Sequence, residues 1–129
     1  MLSVPSPSVR PMTDSHHTIS YIELAVDDLA VTRDFYARAF GWEFIDYGPT
    51  YAGIRAPGGE GEVGGLNAGS TPTRGGPLVL IRSQDLEASH AAVTEAGGEI
   101  AGAIDAYPGG RRFTFLDPSG NELGVFQDD

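Results

Sequence analysis

The sequence predicts an α+β fold in which two tandem βαβββ modules form a curled mixed sheet with the helices on its outer face. The first observation is an internal repeat, because the stretch Ile22 to Gly41 returns in looser form as Val79 to Gly98, displaced by 57 residues. The second is the content of each copy, which has an apolar run, an Asp-Leu pair, about a dozen helix-permissive residues and a closing glycine. This order is typical of a strand, a helix N-cap, a helix and its C-cap. Two copies are too few for a solenoid, so the sequence predicts one domain made of two like halves.

The chain has the length of a single domain with its own core, since 129 residues lie in the usual range for one domain. Residues 1–17 carry three prolines and four serines without periodicity, and we expect them to form a disordered tail. We expect residues 18–127 to form the domain, with modules at 18–66 and 77–127 joined by a linker at 67–76.

The chain is strongly acidic, with 18 Asp and Glu residues against 8 basic residues, all of them arginine. Because neutralisation of phosphates dominates nucleic-acid affinity, a net charge of -10 argues against a DNA or RNA partner. Such a charge favours solubility, and it would also attract a cationic ligand.

The composition and the chain ends predict where the protein resides. The sequence contains no cysteine, which excludes disulfides, thiolate metal ligands and cysteine nucleophiles. No apolar run approaches the roughly 20 residues that span a bilayer, and the N-terminus lacks the pattern of a signal peptide. We therefore expect a cytoplasmic protein without a membrane partner.

In the first module, the run from Ile19 to Val26 predicts a strand, and the segment from Leu29 to Phe40 predicts a helix. Asp27 or Asp28 is expected to cap that helix, and Gly41 is expected to end it. Three further strands are predicted, at Trp42 to Tyr47, Tyr51 to Ala56 and Val63 to Leu66.

Successive side chains of a strand point to opposite faces, which divides the first strand into two sets. Ile22, Leu24 and Val26 form the set that is expected to pack under the helix. Tyr21 and Glu23 belong to the other set, whose composition suits a polar-edged cavity. Plain solvent exposure of this second face is an equally good interpretation.

The second module is predicted to follow the same order. Asp85 is expected to cap a helix that extends to Ala96, with Gly97 and Gly98 closing it. The residues Asp117 to Asn121 have the composition of a tight turn. The predicted strands are Leu78 to Arg82, residues 99–107 as a strand or an extended loop, Arg111 to Leu116, and Glu122 to Gln127.

Two stretches of the sequence resemble a known superfamily. They are ELAVDDLAVTRDFYARAFGWEF near the start and GRRFTFLDPSGNELGVF near the end, and the turn and strand DPSGNEL is the most specific part. Together with the repeat, they resemble the vicinal oxygen chelate superfamily, which contains glyoxalase I, extradiol dioxygenases, fosfomycin-modifying enzymes and bleomycin-binding resistance proteins. The likeness covers roughly residues 18–127.

The resemblance implies a glyoxalase/bleomycin-resistance-like fold, in which each module curls into half of a cup around a ligand. It also implies a homodimer. Because the members share an architecture but not a chemistry, the fold alone does not settle the function.

The metal-dependent members that resemble glyoxalase I carry a His or Glu at each of four inward strand positions. In this sequence those positions correspond to Tyr21, Leu78 and Gly124, with the fourth close to Gly65. None of these residues supplies an imidazole or a carboxylate, the donors expected for a divalent metal. The sequence therefore predicts no metal and no other cofactor. The alternative is a rearranged site built from Glu23, Glu62 and Glu122.

Strand parity and the resemblance together define a set of predicted ligand-binding residues. Two carboxylates beside aromatic rings favour a cationic or hydrogen-bond-donating small molecule. The alternative is that Glu23 pairs with Arg82 or Arg112 and merely holds the two modules together. The residues predicted to point into the cup are Tyr21, Glu23, Leu78, Leu80, Arg82, Glu122 and Phe126, and those predicted at its edges are Trp42, Tyr51 and Tyr107.

These residues support three hypotheses about function. The first is a metal-free small-molecule-binding protein, similar to the resistance members that sequester a drug. The second is a lyase or isomerase in which Glu23 or Glu122 abstracts a proton next to a carbonyl, while Tyr21 donates to the developing oxyanion. The third is an interaction or regulatory protein with an empty cup and an exposed apolar patch elsewhere.

Overall fold

A computed structural model of the chain describes residues 16–72 and 74–129. Within these residues the chain forms two helices and eight strands, which are numbered here in chain order. The first module contains β1 (Ile22–Ala25), α1 (Leu29–Phe40), β2 (Phe44–Asp46), β3 (Tyr51–Arg55) and β4 (Glu62–Asn67). The second module contains β5 (Leu80–Arg82), α2 (Leu86–Glu95), β6 (Glu99–Tyr107), β7 (Gly110–Leu116) and β8 (Glu122–Asp128).

Each module builds a four-stranded mixed sheet with the same topology. The first sheet has the order β1-β4-β3-β2, and the second has the order β5-β8-β7-β6. In each sheet the outer pair, β1–β4 or β5–β8, is parallel, and the other pairs are antiparallel. The predicted α+β class and the two tandem βαβββ modules are confirmed. The strands form two separate open sheets, and β1 and β5 are edge strands.

The helix caps follow from the residues that flank each helix. Asp28 accepts a hydrogen bond from the Val31 amide at 3.1 Å and caps α1, whereas Asp27 has a different role described below. Gly41 ends α1 in the left-handed conformation, with φ 71°, which glycine adopts without steric cost. Asp85 caps α2 through the Ala88 amide at 3.1 Å.

Several strand boundaries differ from the predicted ones. β1 begins only at Ile22, where its parallel pairing with Gly64 of β4 starts. β2 begins at Phe44, and β5 begins at Leu80. The stretch 99–107, for which the sequence left a strand or an extended loop, is the strand β6. Residues 1–15 of the predicted tail lie outside the described residues, and His16 and His17 are exposed with stacked rings.

One apolar core joins the two modules. Phe35 on α1 contacts Phe115 on β7, with ring centroids 5.8 Å apart, and such aromatic pairs stabilise beyond the area they bury. The sheet faces turned away from this core are called the open faces below. The largest fully buried side chains come from both modules: Phe35, Tyr36, Leu66, Phe113, Phe115 and Leu123.

Three polar side chains of the turn between β7 and β8 reach into the first module, and they are called the clasp: Asp117, Ser119 and Asn121. Asn121 donates from its amide to the Ala25 carbonyl at 2.6 Å. The Ser119 hydroxyl accepts from the Asp27 amide at 3.0 Å and lies 2.7 Å from the Thr32 hydroxyl. The clasp therefore holds the turn of one module against the β1–α1 junction of the other.

Asp117 is the centre of the clasp. It accepts hydrogen bonds from the backbone amides of Ser119 and Asn121, at 2.9 and 3.0 Å, and from the Tyr36 hydroxyl at 2.8 Å. Both Asp117 and Tyr36 are buried. Burial raises the pKa of Tyr36 well above its ordinary value, and the nearby Asp117 carboxylate raises it further.

Replacing Asp117 by Ala should lower the free energy of unfolding by about 3 kcal/mol, because the substitution leaves several buried donors without an acceptor. Urea titration followed by circular dichroism measures the change. Asp34→Ala is the matched control, since Asp34 is exposed and forms only an i,i+4 pair with Arg38. The control should stay within about 0.5 kcal/mol of the wild type. Equal losses in the two variants would contradict the role given to the clasp.

The buried Tyr36 should make the protein sensitive to alkali. Its folded-state pKa lies above the value of about 10 expected in the unfolded chain, so its contribution is complete below that pH and is lost as pH rises. In Tyr36→Phe, the free energy of unfolding should therefore fall less steeply above pH ~10 than in the wild type. The two slopes should differ by about 1.4 kcal/mol per pH unit. Urea titrations at a series of alkaline pH values measure both slopes, and parallel slopes would contradict this origin of the sensitivity.

Candidate functional site

The open face of the first sheet carries a connected set of polar side chains, called here the tyrosine–glutamate network: Tyr21, Glu23, Tyr47, Tyr51, Glu62 and Asn67. Glu23 accepts hydrogen bonds from the Tyr51 hydroxyl at 3.1 Å and from the Asn67 amide at 3.0 Å. The hydroxyls of Tyr21 and Tyr51 are 2.6 Å apart.

The second carboxylate of the network lies on the other side of Tyr21. Glu62 accepts a hydrogen bond from the Tyr47 hydroxyl, and its Oε1 is 3.5 Å from the Tyr21 hydroxyl. Tyr21 and Tyr47 remain 43% and 53% exposed, so a molecule approaching this face can reach both rings. In the network Glu23 lies beside Tyr51, and Glu62 lies between the hydroxyls of Tyr21 and Tyr47.

Two glycines make room for the network. Gly65 pairs with Glu23 on one side and with Gly53 on the other, so the two glycines lie side by side beneath the tyrosines. A Cβ at position 65 would lie 2.7 Å from the Tyr21 hydroxyl, and a Cβ at position 53 would lie 2.7 Å from the Glu62 carboxyl carbon. Any larger residue would displace these side chains from the sheet.

The network is negatively charged, and within the described residues its nearest basic influence is Arg55, whose charge lowers the pKa of Tyr47 but forms no ion pair with Glu23 or Glu62. The ion pairs of residues 16–72 and 74–129 are formed by other residues, and neither Glu23 nor Glu62 takes part in one. Burial raises the pKa of Tyr51, and its hydrogen bonds with Tyr21 and Glu23 raise it further. The hydrogen bond to Glu62 raises the pKa of Tyr47. Both phenols therefore remain protonated donors at neutral pH.

The open face of the second sheet has the opposite character. Arg82, Phe126 and Arg112 are aligned across β5, β8 and β7. The Arg82 guanidinium lies 4.9 Å from the Phe126 ring centroid and forms an ion pair with Asp128. The Arg112 guanidinium lies 5.5 Å from the ring centroid of Tyr107. An ion pair of Glu23 with Arg82 or Arg112, the alternative left open by the sequence, is not formed.

The structure also places three other predicted ligand-binding residues, Leu78, Leu80 and Glu122. Leu78 and Leu80 are 40% and 39% exposed, and Leu80 covers the space above Gly124. Glu122 forms an ion pair with Arg74 at 3.0 Å. Glu23 and Glu122 line one cavity of about 280 Å³, between β1 and the beginning of β8.

Trp42 lies elsewhere than predicted. Its ring stacks on that of Tyr36, with centroids 4.6 Å apart and an interplanar angle of 8°, and it packs against the core. Because Tyr36 is fully buried, Trp42 belongs to the core side of the sheet and not to the open face. The sequence placed it in β2, whereas the stacking on Tyr36 keeps it beside the end of α1.

Sequence reasoning did not include three members of the network among the ligand-binding residues: Tyr47, Glu62 and Asn67. Glu62 was considered only as a metal ligand in a turn, yet it is the first residue of β4. Asn67 was assigned to the linker, yet it ends β4 opposite Tyr51. Strand parity starting from Tyr51 would have found Asn67, but the β3–β4 register had to be known first.

The four positions that would hold a metal in glyoxalase-like relatives do not fit an ion here. The register that pairs Glu23 with Gly65 matches the register that pairs Leu80 with Gly124, which makes the two glycines equivalent. The space above Gly65 is taken by tyrosine hydroxyls, and that above Gly124 by the Leu80 side chain. In the part of the chain that the structure describes, no three His, Asp or Glu side chains converge into a possible metal-binding group.

Neither α1 nor α2 is long and apolar enough to cross a bilayer.

Comparison with solved structures shows the same fold in several proteins. A glyoxalase-related enzyme from Fulvimarina pelagi has a TM-score of 0.72 at 21% identity, over 87% of this chain and 88% of the other. A glyoxalase/bleomycin resistance protein/dioxygenase family enzyme from Burkholderia phytofirmans has a TM-score of 0.70 at 21% identity, over 86% and 98%. An antibiotic binding protein from a Streptomyces species has a TM-score of 0.66 at 24% identity, over 89% and 98%.

A search of curated proteins found no sequence that matches this chain. A family profile does match, and it covers residues 18–125, which include both modules and the clasp. The chain therefore belongs to the Glyoxalase/Bleomycin resistance protein/Dioxygenase superfamily.

Proposed function

We propose that the protein binds a small organic molecule carrying an amine or another hydrogen-bond donor, without a metal ion, against the open face of the first sheet. The observation that carries the proposal is the pair Glu23 and Glu62, two carboxylates whose hydrogen bonds from the described residues all come from neutral donors. A positively charged group would supply the missing countercharge, and the phenol rings of Tyr21 and Tyr47 offer faces for cation–π contact. The arrangement is held in place before a ligand arrives, which lowers the entropic cost of binding.

Membership of the family supports the proposal that the protein binds a small molecule. One solved structure with the same fold is that of an antibiotic binding protein, although 24% identity makes that likeness one of fold alone. The sequence contains no cysteine, which suits the cytoplasmic location we propose. We further propose a homodimer in which the open faces of two copies meet. The predicted residues Leu78, Leu80, Arg82, Tyr107, Glu122 and Phe126 would then form the rest of the ligand site.

A lyase or isomerase activity is the second proposal, supported by the position of Glu23 beside phenolic donors. Glu23 would take a proton next to a carbonyl, and a tyrosine hydroxyl would donate to the developing oxyanion. Glu122 suits the role of base less well, because Arg74 already pairs with it. Product formation that disappears in Glu23→Gln would favour this activity, whereas ligand binding without product favours sequestration.

The first test compares three probes of similar shape: benzylamine, benzyl alcohol and benzoate. We expect benzylamine to bind best and benzoate worst, because the network is anionic. Glu23→Gln should weaken benzylamine binding about tenfold, or ~1.4 kcal/mol, and leave benzyl alcohol unchanged. Isothermal titration calorimetry measures each affinity.

The control for this test is Glu60→Gln, which changes an exposed glutamate of the same module outside the network. It should leave the benzylamine affinity unchanged. The proposal is wrong if the three probes bind alike, or if the control loses as much affinity as Glu23→Gln. Native mass spectrometry of the purified protein would also reveal a co-purified ligand, and a stoichiometric metal ion found there by elemental analysis would contradict the metal-free proposal.

The second test concerns the glycine beneath the tyrosines. Gly65→Ala should push the Tyr51 hydroxyl off the sheet, and the pKa of Tyr51 should fall toward its ordinary value because its burial and hydrogen bonds are lost. Ultraviolet absorbance of the phenolate during alkaline titration measures this change, and benzylamine affinity should fall in parallel. Gly76→Ala is the control, because a Cβ there meets nothing within 4 Å. An unchanged titration in Gly65→Ala would show that the network is not held as described.

A further inference from the structure

A second concave surface lies between the modules on the core side, and it is called here the apolar cleft. Its volume is about 780 Å³. Its wall includes side chains that belong to the core or pack against it, namely Leu24, Phe40, Trp42, Ile54, Val79, Ile81 and Leu123. Leu123 is only 1% exposed, so the cleft reaches down to the core itself.

The cleft exists because the two modules differ at one turn. The pairing of Ile54 with Gly64 corresponds to that of Phe115 with Leu123, which places residues 56–59 where the second module has residues 117–120. The second module has Asp-Pro-Ser-Gly there and clasps its neighbour, whereas the first has Ala-Pro-Gly-Gly. Without polar side chains, the turn of the first module makes no clasp and instead lines the cleft.

The turn of the first module also has a backbone that other residues would not adopt. Gly58, Gly59 and Gly61 have φ values of 93°, 89° and 76°, in the left-handed region. The Arg55 side chain donates to the Gly59 carbonyl at 3.3 Å and holds the turn to β3. The conformation of this turn, which lines the cleft at residues 56–59, therefore depends on its glycines.

From this geometry we propose that the apolar cleft binds an uncharged, largely hydrocarbon small molecule, independently of the ligand on the open face. A volume of about 780 Å³ is within the usual range for small-molecule sites, and apolar cavities take up apolar molecules readily. Among the described residues of the wall, only Glu43 and Arg55 are charged. A charged occupant would lose its hydration against the remaining wall without compensation.

The occupant is a small molecule and not the surface of a second copy, because of the depth of the cleft. Its floor includes the buried Leu123, which a flat protein surface would not reach. No member of the tyrosine–glutamate network lines the cleft, although Leu80, which we propose for the open-face ligand site, also lies in its wall.

The protein contains one tryptophan, Trp42, and this residue lies in the wall of the cleft. The probe is N-phenyl-1-naphthylamine, an uncharged fluorescent molecule that quenches tryptophan by energy transfer. Titration of the full chain should quench Trp42 saturably, with one probe per chain. Saturating benzylamine should leave this titration unchanged, and the result stands even if benzylamine does not bind.

Two variants test the location. Val79→Phe fills part of the cleft and should weaken probe binding at least about tenfold. Ile22→Glu does the same by placing a charge in the wall at a position that is 40% exposed and therefore tolerant of substitution. Ile19→Glu is the matched control, since Ile19 is 90% exposed and does not line the cleft, and it should bind the probe like the wild type.

Three outcomes would overturn the proposal. The first is quenching that does not saturate. The second is an affinity that neither Val79→Phe nor Ile22→Glu changes, or that Ile19→Glu lowers equally. The third is probe binding that disappears as the protein associates at higher concentration in analytical ultracentrifugation, because a second copy would then occupy the cleft.

Discussion

The relative placement of the two modules depends on one buried carboxylate. Asp117 accepts four hydrogen bonds, from the Ser119 and Asn121 amides, the Tyr36 hydroxyl and the Asn121 side chain, at 2.8 to 3.1 Å. A buried charge is costly unless it is fully hydrogen-bonded, and here every lone-pair direction has a donor. In residues 16–72 and 74–129, no buried side-chain nitrogen or oxygen lacks a partner. The bond from the Tyr36 hydroxyl joins the second module's turn to the first module's helix, and the other three shape the turn from which Ser119 and Asn121 reach the β1–α1 junction.

Much of the fold could be predicted because its signals are local. Asp28 and Asp85 cap the helices and Gly41 ends α1, and each of these effects acts within one turn of helix. The repeat then supplied the topology of the second module from that of the first. For the site, parity along β1 was enough to place Tyr21 and Glu23 together, since neighbours two apart on a strand share a face. The side chains of both meet Tyr51 on the open face.

What could not be predicted depends on the register between strands and on packing across the modules. The network needs Tyr51 opposite Asn67 and Gly53 beside Gly65, and neither pairing can be read from a single strand. The irregularity between Ile54 and Arg55 makes Glu62, and not Val63, the partner of Arg55 in β4, where a composition rich in glycine indicates only a turn. Trp42 was misplaced for a related reason: an aromatic residue after a helix suits a strand equally well, and only the position of Tyr36 decides between the two. Ile22 has the parity of a core residue but remains 40% exposed, because the cleft opens beside it.

Glycine has different consequences in the strands of the first sheet and in the turn between β3 and β4. In the strands, Gly53 and Gly65 remove side chains from the floor of the first sheet, and the tyrosines fill that space with hydroxyls instead of metal ligands. In the turn, Gly58 and Gly59 stand where the other module has Ser119 and Gly120, so one module clasps its neighbour and the other leaves a cleft. Near Gly65 the metal-dependent relatives carry a metal ligand, and at the position of Gly58 the second module has Ser119, which binds the other module. The single clasp and the shared apolar core, in which Phe35 contacts Phe115, together join the two modules. The turn of the first module, residues 56–59, makes no clasp, and the cleft that it lines is available for binding.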